Sequence, residues 1–240
     1  MNASRLPGVP SPALLTMRTE LRRAAVYSAW FWVMATAVVA VATAQYAPLG
    51  FSFIGYGRQA VAWFLFSQAI TLVAGSLRIH VAAGMTRRSF VRGSLGAHLV
   101  IGFAHGVVFV ALLQLERLVH QAAGWSFEVH DGLDPTGTRI GVLLMDFGGS
   151  FVVASLSGLL VGIVYQRVSG WWGTLALPLT VGPLLVVLGS SGGDVGQILL
   201  GGVATGQIGV VAALVTGAAL ASAAAFALLS IRAPIRLPAV

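Results

Sequence analysis

The chain contains no cysteine and no lysine. Without cysteine there is no disulfide, no thiolate metal ligand and no thiol nucleophile. Without lysine, all 14 basic residues are arginines. A phosphate loop that ends in Lys-Ser/Thr cannot be built, and nucleotide hydrolysis by that route is excluded. Charge of either sign is scarce: 9% of the 240 residues are charged, against about 25% in soluble domains. Apolar residues make up 57%, more than a soluble domain of this size can hide behind a polar surface. The excess must face lipid, which removes the soluble globular, disordered and disulfide-framework classes.

The apolar residues fall into long runs. Spans are expected at about 25–44, 60–79, 95–115, 140–165, 172–188 and 207–231, each at or near the roughly 20 residues that cross a hydrocarbon core. The reading is an all-α integral membrane protein of about six transmembrane helices. The fifth run is short and carries Pro178 and Pro183, so a kink is expected there. Residues 196–206 are apolar but glycine-rich and read as a short, partly inserted segment. Ahead of the first span, Ser11-Pro12 offers a helix start. Leu14, Met17, Leu21 and Ala24 recur at spacings of three and four, with Arg18, Glu20, Arg22 and Arg23 largely off that stripe. This predicts an amphipathic helix at the membrane interface, the alternative being a charged extension of the first span. Ala42-Thr43-Ala44 resembles a leader-cleavage site, but the long run and the spans that follow favour an uncleaved signal-anchor. The resulting map is a cytoplasmic segment 1–24, a six-helix domain 25–231 and a cytoplasmic tail 232–240.

The arginines orient this map. With the N-terminus inside, eleven lie on the cytoplasmic side and only Arg58, Arg117 and Arg139 outside. That is the positive-inside asymmetry. Glu116, Glu128, Asp131, Asp134 and Asp194 sort to the outer side and Glu20 to the inner. The net charge of +7 is then a product of topology and does not call for nucleic acid. The expected location is the plasma membrane, with both termini cytoplasmic.

Three groups of residues stand out within the spans. Asp146 is an ionisable residue well inside a span, where a carboxylate is expensive. It could line a substrate path, or pair with Arg139 or with another helix. His98 and His105 lie seven residues apart on one face of the third span. They suit polar lining or a path, and are too few for a metal site. Ser150, Ala154, Gly158 and Gly162 form a row of small residues every four positions, as do Gly209, Ala213 and Gly217 with Ala221 and Ala225. Such rows let helix backbones approach closely, within the subunit or across a dimer. The outer loop, 116–139, reads as an interfacial cap.

The loop 80–93 is short and basic, with Thr86 placed to cap a helix. Its core, Gly84-Met85-Thr86-Arg87-Arg88-Ser89-Phe90, together with the tail Arg232-Ala233-Pro234-Ile235-Arg236, resembles the six-span membrane subunits of bacterial ABC-2-type ATP-binding-cassette exporters. The resemblance implies that Gly84, Thr86, Arg87, Arg88 and Phe90 contact a separate cytoplasmic ATPase subunit. It also implies that a second copy or a related permease completes the path. This chain would bind no cofactor and catalyse nothing itself, ATP and magnesium residing on the partner. Few charges in the spans suggest an amphipathic cargo: a drug, a lipid-like compound or a peptide. Two rivals stay open, a proton-coupled secondary carrier using Asp146, His98 or His105, and a membrane enzyme or scaffold that transports nothing.

Overall fold

The computed structural model describes residues 11–46, 50–74, 76–130, 132–168, 170–190 and 207–232. Arg5, Asp131, Asp194, the segment 196–206 and the tail 233–236 lie outside the described residues. Every regular element among the described residues is helical. Six helical stretches are long and apolar enough to cross a membrane: Pro12–Tyr46, Phe53–Ala82, Arg87–Ala123, Ile140–Arg167, Gly170–Ser190 and Ile208–Ile231. The chain thus folds as an all-α, multi-pass membrane bundle.

The first stretch is one helix, α1 (Pro12–Tyr46). The helix runs unbroken through residues 24 and 25, which fits the alternative of a charged extension of the first span. The second stretch is divided into α2 (Phe53–Tyr56), α3 (Arg58–Val73) and α4 (Ser76–Ala82). The third is α5 (Arg87–Ala123), whose 37 residues extend about 55 Å, well beyond a hydrocarbon core. Its first two turns absorb residues read as part of the loop 80–93, and its last two absorb the start of the loop 116–139. Thr86 caps α5 as expected, its hydroxyl accepting from the Ser89 N–H at 3.2 Å. Gly124, at φ 71°, ends it in the left-handed conformation that glycine adopts without strain.

The fourth stretch comprises α6 (Ile140–Leu143), a π-helical turn (Leu144–Gly148) and α7 (Gly149–Arg167). The fifth is broken at Ala176 into α8 (Gly170–Leu175) and α9 (Leu177–Ser190). Pro178 has no N–H to continue the ladder and crowds the preceding turn, which accounts for the break. The last is α10 (Ile208–Ile231).

Helix α7 is the axis of the bundle. Of its stretch's most apolar window 83% is buried, against 6% for α1. The row of Ser150, Ala154, Gly158 and Gly162 faces inward and meets α3. A Cβ at Gly158 would lie 2.7 Å from that of Ala69 and closer still to the Phe66 carbonyl, and one at Gly162 would strike Val73. Helix α5 crosses the same stretch just as tightly, since a Cβ at Gly102 would lie 2.6 Å from Val152 Cα. The second row behaves differently. Gly209, Ala213 and Gly217 are exposed, and α10 instead buries Val211, Val215, Ser222, Phe226 and Ser230. Nothing lies within 4 Å of a Cβ added at Gly209 or Gly217, whereas Ala225 packs against the core.

Helix α1 is held mainly along α5 and unevenly. Near its start, a Cβ at Gly93 would lie 2.6 Å from Thr16 Cβ. Farther along, the two helices part around a cavity of about 210 Å³ beside Trp32 and His105. Beyond it lies an apolar groove of about 360 Å³ between Thr36–Ala44 and Leu112–Val119.

Candidate functional site

The polar residues of the bundle gather at its two ends and in buried clusters between the helices. At one end stand Arg18, Arg22, Arg23, Arg78, Arg87, Arg88, Arg92, Arg167 and Arg232. Contacts between helix ends bring them together: Thr16 with His80 at 3.1 Å, Arg87 Nη1 donating to the Ile231 carbonyl at 3.0 Å, and Arg167 Nη1 to that of Leu229 at 3.3 Å. The opposite end carries Glu116, Glu128, Asp134, Arg117 and Arg139. The charge asymmetry of the sequence is therefore an asymmetry between the two faces of the bundle.

The turn into α5 projects from the arginine-rich end. Gly84 adopts φ 77° with nothing near the position a Cβ would occupy. Gly84, Thr86 and Arg88 are exposed and Arg87 is half-buried. Phe90, in contrast, is fully buried, with His80 at 5.5 Å and Phe226 at 6.4 Å between ring centres. It cannot touch a partner directly and serves as the anchor that ties the turn to α4 and α10. His80 adds a second tie, its Nε2 hydrogen-bonded to Ser89 Oγ at 2.9 Å and the Thr86 carbonyl at 3.2 Å.

Asp146 sits on the π-helical turn and is fully buried. Its partner is Arg58, from the start of α3, and not Arg139. Arg58 Nη2 donates to Asp146 Oδ1 at 2.9 Å and to Ser150 Oγ at 2.7 Å. Ser150 Oγ in turn donates to the Asp146 carbonyl at 2.6 Å, and the Leu133 N–H to Asp146 Oδ2 at 3.1 Å. The guanidinium also lies 5.3 Å from the Phe147 ring centre. Helices α3 and α7 and the outer loop are thus locked at one point. With both carboxylate oxygens engaged and no exposure, Asp146 has the surroundings of a structural lock more than of a lined path. Arg139 turns to the loop, where it pairs with Asp134 at 3.7 Å.

Sequence reasoning missed two further carboxylates. Glu116 accepts from Ser52 Oγ at 2.5 Å, from the Phe53 N–H at 2.8 Å and from the Ile54 N–H at 3.3 Å. It caps α2 from the neighbouring helix. Glu20 is buried between α1 and α5, where Ser94 Oγ donates to its Oε1 at 2.7 Å. His98 faces it, Nε2 to Oε2, at 3.8 Å, and binds Ser155 Oγ through Nδ1 at 2.7 Å. The available signal was that Glu20 is the one acidic residue in an arginine-rich helix turn. His105 lies two turns farther along α5, hydrogen-bonded to the Ile101 carbonyl at 2.8 Å, with its ring 5.8 Å from Trp32. The two histidines do not share a site, and neither lies beside Asp146. Among the described residues no three His, Asp or Glu side chains gather where a metal ion could be held.

In the outer loop Asp134 is almost fully buried. Burial pushes its carboxyl upward. The Arg139 N–H at 2.6 Å, the Thr136 hydroxyl at 2.7 Å and the Arg139 charge outweigh this and hold it below the usual carboxylate range.

No family model, curated protein or solved structure matches the chain. Its residues and their geometry are therefore the basis for any reading of function.

Two outcomes follow from these polar groups. Asp146→Asn takes the carboxylate from a buried arginine and should lower thermal stability of the detergent-solubilised protein by about 3–5 kcal/mol. The paired change Arg58→Met with Asp146→Leu should recover most of it. An Asp146→Asn protein as stable as the wild type would contradict the structural role. The Asp134 carboxylate is held lower in the folded state than the ordinary 3.8, so its contribution is present above that value and is lost as pH falls through the folded-state value. Hydrogen-exchange protection of the Val129 and Gly137 amides, bonded within the loop, should therefore hold through neutral and mildly acid pH. Asp134→Asn should lower it by about 1 kcal/mol at neutral pH, and the difference should shrink as pH falls through the folded-state value.

Proposed function

We propose that the chain is the membrane-spanning permease subunit of an ATP-driven exporter in the cytoplasmic membrane of a bacterium. A separate ATPase subunit would dock on the arginine-rich end, and a second copy or a related permease would complete the path. The observation that carries the reading is the form of the turn Gly84–Arg88. It is exposed, basic and capped, yet it is anchored at its base. Phe90 and His80 connect it to α4, α5 and α10, so force applied at Arg88 would reach the spans without being absorbed by a loose loop.

This anchoring refines the contact expected from sequence. Thr86, Arg87 and Arg88 offer the surface, while Phe90 transmits. The arginine-rich end also supports placing both termini in the cytoplasm, because basic residues are retained on that side. ATP binding and hydrolysis would alternately press and release the two turns. The spans would then expose an amphipathic cargo, whether drug, lipid-like compound or peptide, first to one side and then to the other. In that scheme this chain binds no nucleotide or magnesium and catalyses no reaction.

The test is co-purification from the source membranes, read as ATP hydrolysis in the eluate. Wild-type chain should bring down ATPase activity, and Arg87→Glu with Arg88→Glu should reduce it about tenfold or more (1.4 kcal/mol is a factor of ten) at equal recovery of the chain. No ATPase activity with the wild-type chain, or activity unchanged by the double reversal, would contradict the reading.

A further inference from the structure

The contact of Glu20 with His98 has an unusual geometry. Both side chains are buried, Glu20 to 4% exposure and His98 to 0%. Glu20 Oε2 and His98 Nε2 point at each other across 3.8 Å, and neither makes a hydrogen bond. Every other polar atom of the pair is engaged, Oε1 by Ser94 and Nδ1 by Ser155. A buried polar atom without a partner costs about 1–3 kcal/mol. A purely structural pair would gain by closing to hydrogen-bond length, about 2.7–2.9 Å. A carboxyl and an imidazole together carry no net charge when they hold one acidic proton between them. Loss of that proton leaves a buried anion with no partner on Oε2.

Glu20 also lines a cavity. A cavity of about 190 Å³ opens beside Glu20 toward the arginine-rich end, lined by Thr16, Thr19, Arg23, Ser76 and His80 among others. His80 stands in its wall, bonded to Thr16 on one side and to Thr86 and Ser89 at the base of the projecting turn on the other. The charged and titratable groups about Glu20 are thus Arg23 on its own helix, His80 on α4 and His98 on α5, while α7 contributes only the Ser155 hydroxyl behind His98. Two ligating side chains are fewer than a divalent metal ion takes up, whereas one proton needs no more than this pair.

We propose that Glu20 and His98 form a proton-binding site between α1 and α5, loaded from the arginine-rich end through the cavity beside His80, and that its occupancy sets how tightly α1 is held. The site lies where α1 is closely packed, at Gly93, just before the two helices part around the cavity and the groove. With the proton bound the pair is neutral and the seam stays closed. With the proton lost, the buried charge of Glu20 draws water or Arg23 into the seam, and α1 is released. This does not depend on the ATPase reading, since the site is complete within one chain.

The absence of cysteine allows a direct test in the full chain reconstituted in nanodiscs. Met17→Cys with Gly96→Cys places two thiols across the seam, where a Cβ at position 96 lies 3.4 Å from the Met17 sulfur. Cross-linking measured across about pH 5–9, the range in which histidine sites respond, should decline on the alkaline side relative to the same pair in a Glu20→Gln background. That background cannot form the buried anion, and the ratio removes the pH dependence of the thiols. In ¹⁵N-histidine spectra the His98 ring signals should titrate, and Glu20→Gln should shift their midpoint by about one pH unit or more, tenfold in proton affinity. A cross-linking ratio that is flat with pH, or a His98 signal indifferent to Glu20→Gln in folded protein, would overturn the proposal.

Discussion

Hydrocarbon offers no partner to a polar group, so every charge taken into this bundle has to find its counterpart within the chain. That constraint arranges the fold. Arg58 and Asp146 satisfy each other at the point where α3, the π-helical turn and the outer loop meet. The pairing holds the start of α3 against α7, and below it the small residues of α7 let the α3 backbone come within van der Waals contact. Glu116 does the same service at the start of α2, where its carboxylate takes the place of a missing turn of helix. One end of the bundle is thereby rigid.

The other half of the α1–α5 seam is built differently. Helix α1 buries little beyond Glu20 and Ala24, and Trp30, Val33, Met34 and Val38 face outward, as suits side chains solvated by lipid. Between α1 and α5 the packing alternates from close contact at Gly93 to open cavity at Trp32. Helix α1 is joined to the bundle at several points along its length: Glu20 faces His98, Phe31 stacks on Phe64 at 4.2 Å and Trp32 lies beside His105. Helix α5, in contrast, is wedged against α7 by Gly102 and Gly106 and continues into the projecting turn. The α1–α5 seam and the projecting turn are therefore adjacent, joined at His80.

Much of this was legible from sequence, for physical reasons. Long apolar runs announce spans because the thickness of the bilayer fixes their length, and all six appear as helices. Thr86 capped where its spacing indicated, because capping is a local interaction. The seam of Ser150, Ala154, Gly158 and Gly162 was legible because those residues recur on one face of a helix that turned out to be central. The row of Gly209, Ala213 and Gly217 is exposed in the single chain, since a row of small residues does not say whether its own subunit or a second copy supplies the facing helix. The partner of Asp146 was likewise hidden: Arg139 is near in sequence, but Arg58, 88 positions away, is near in space. Glu20 was assigned to the polar side of an interfacial helix because that helix was expected to lie flat. In a straight continuation of the first span the same residue faces α5.

The claim on which the functional reading rests is that the arginine-rich end of a six-span bundle faces the cytoplasm. Single cysteines introduced into this cysteine-free chain at Arg88 and Glu128 decide it with a membrane-impermeant maleimide. The account predicts that Glu128→Cys is labelled in intact cells whose outer barrier admits the reagent, and that Arg88→Cys reacts only once the cytoplasmic membrane is opened. Labelling of Arg88→Cys in intact cells, with Glu128→Cys protected, would contradict it.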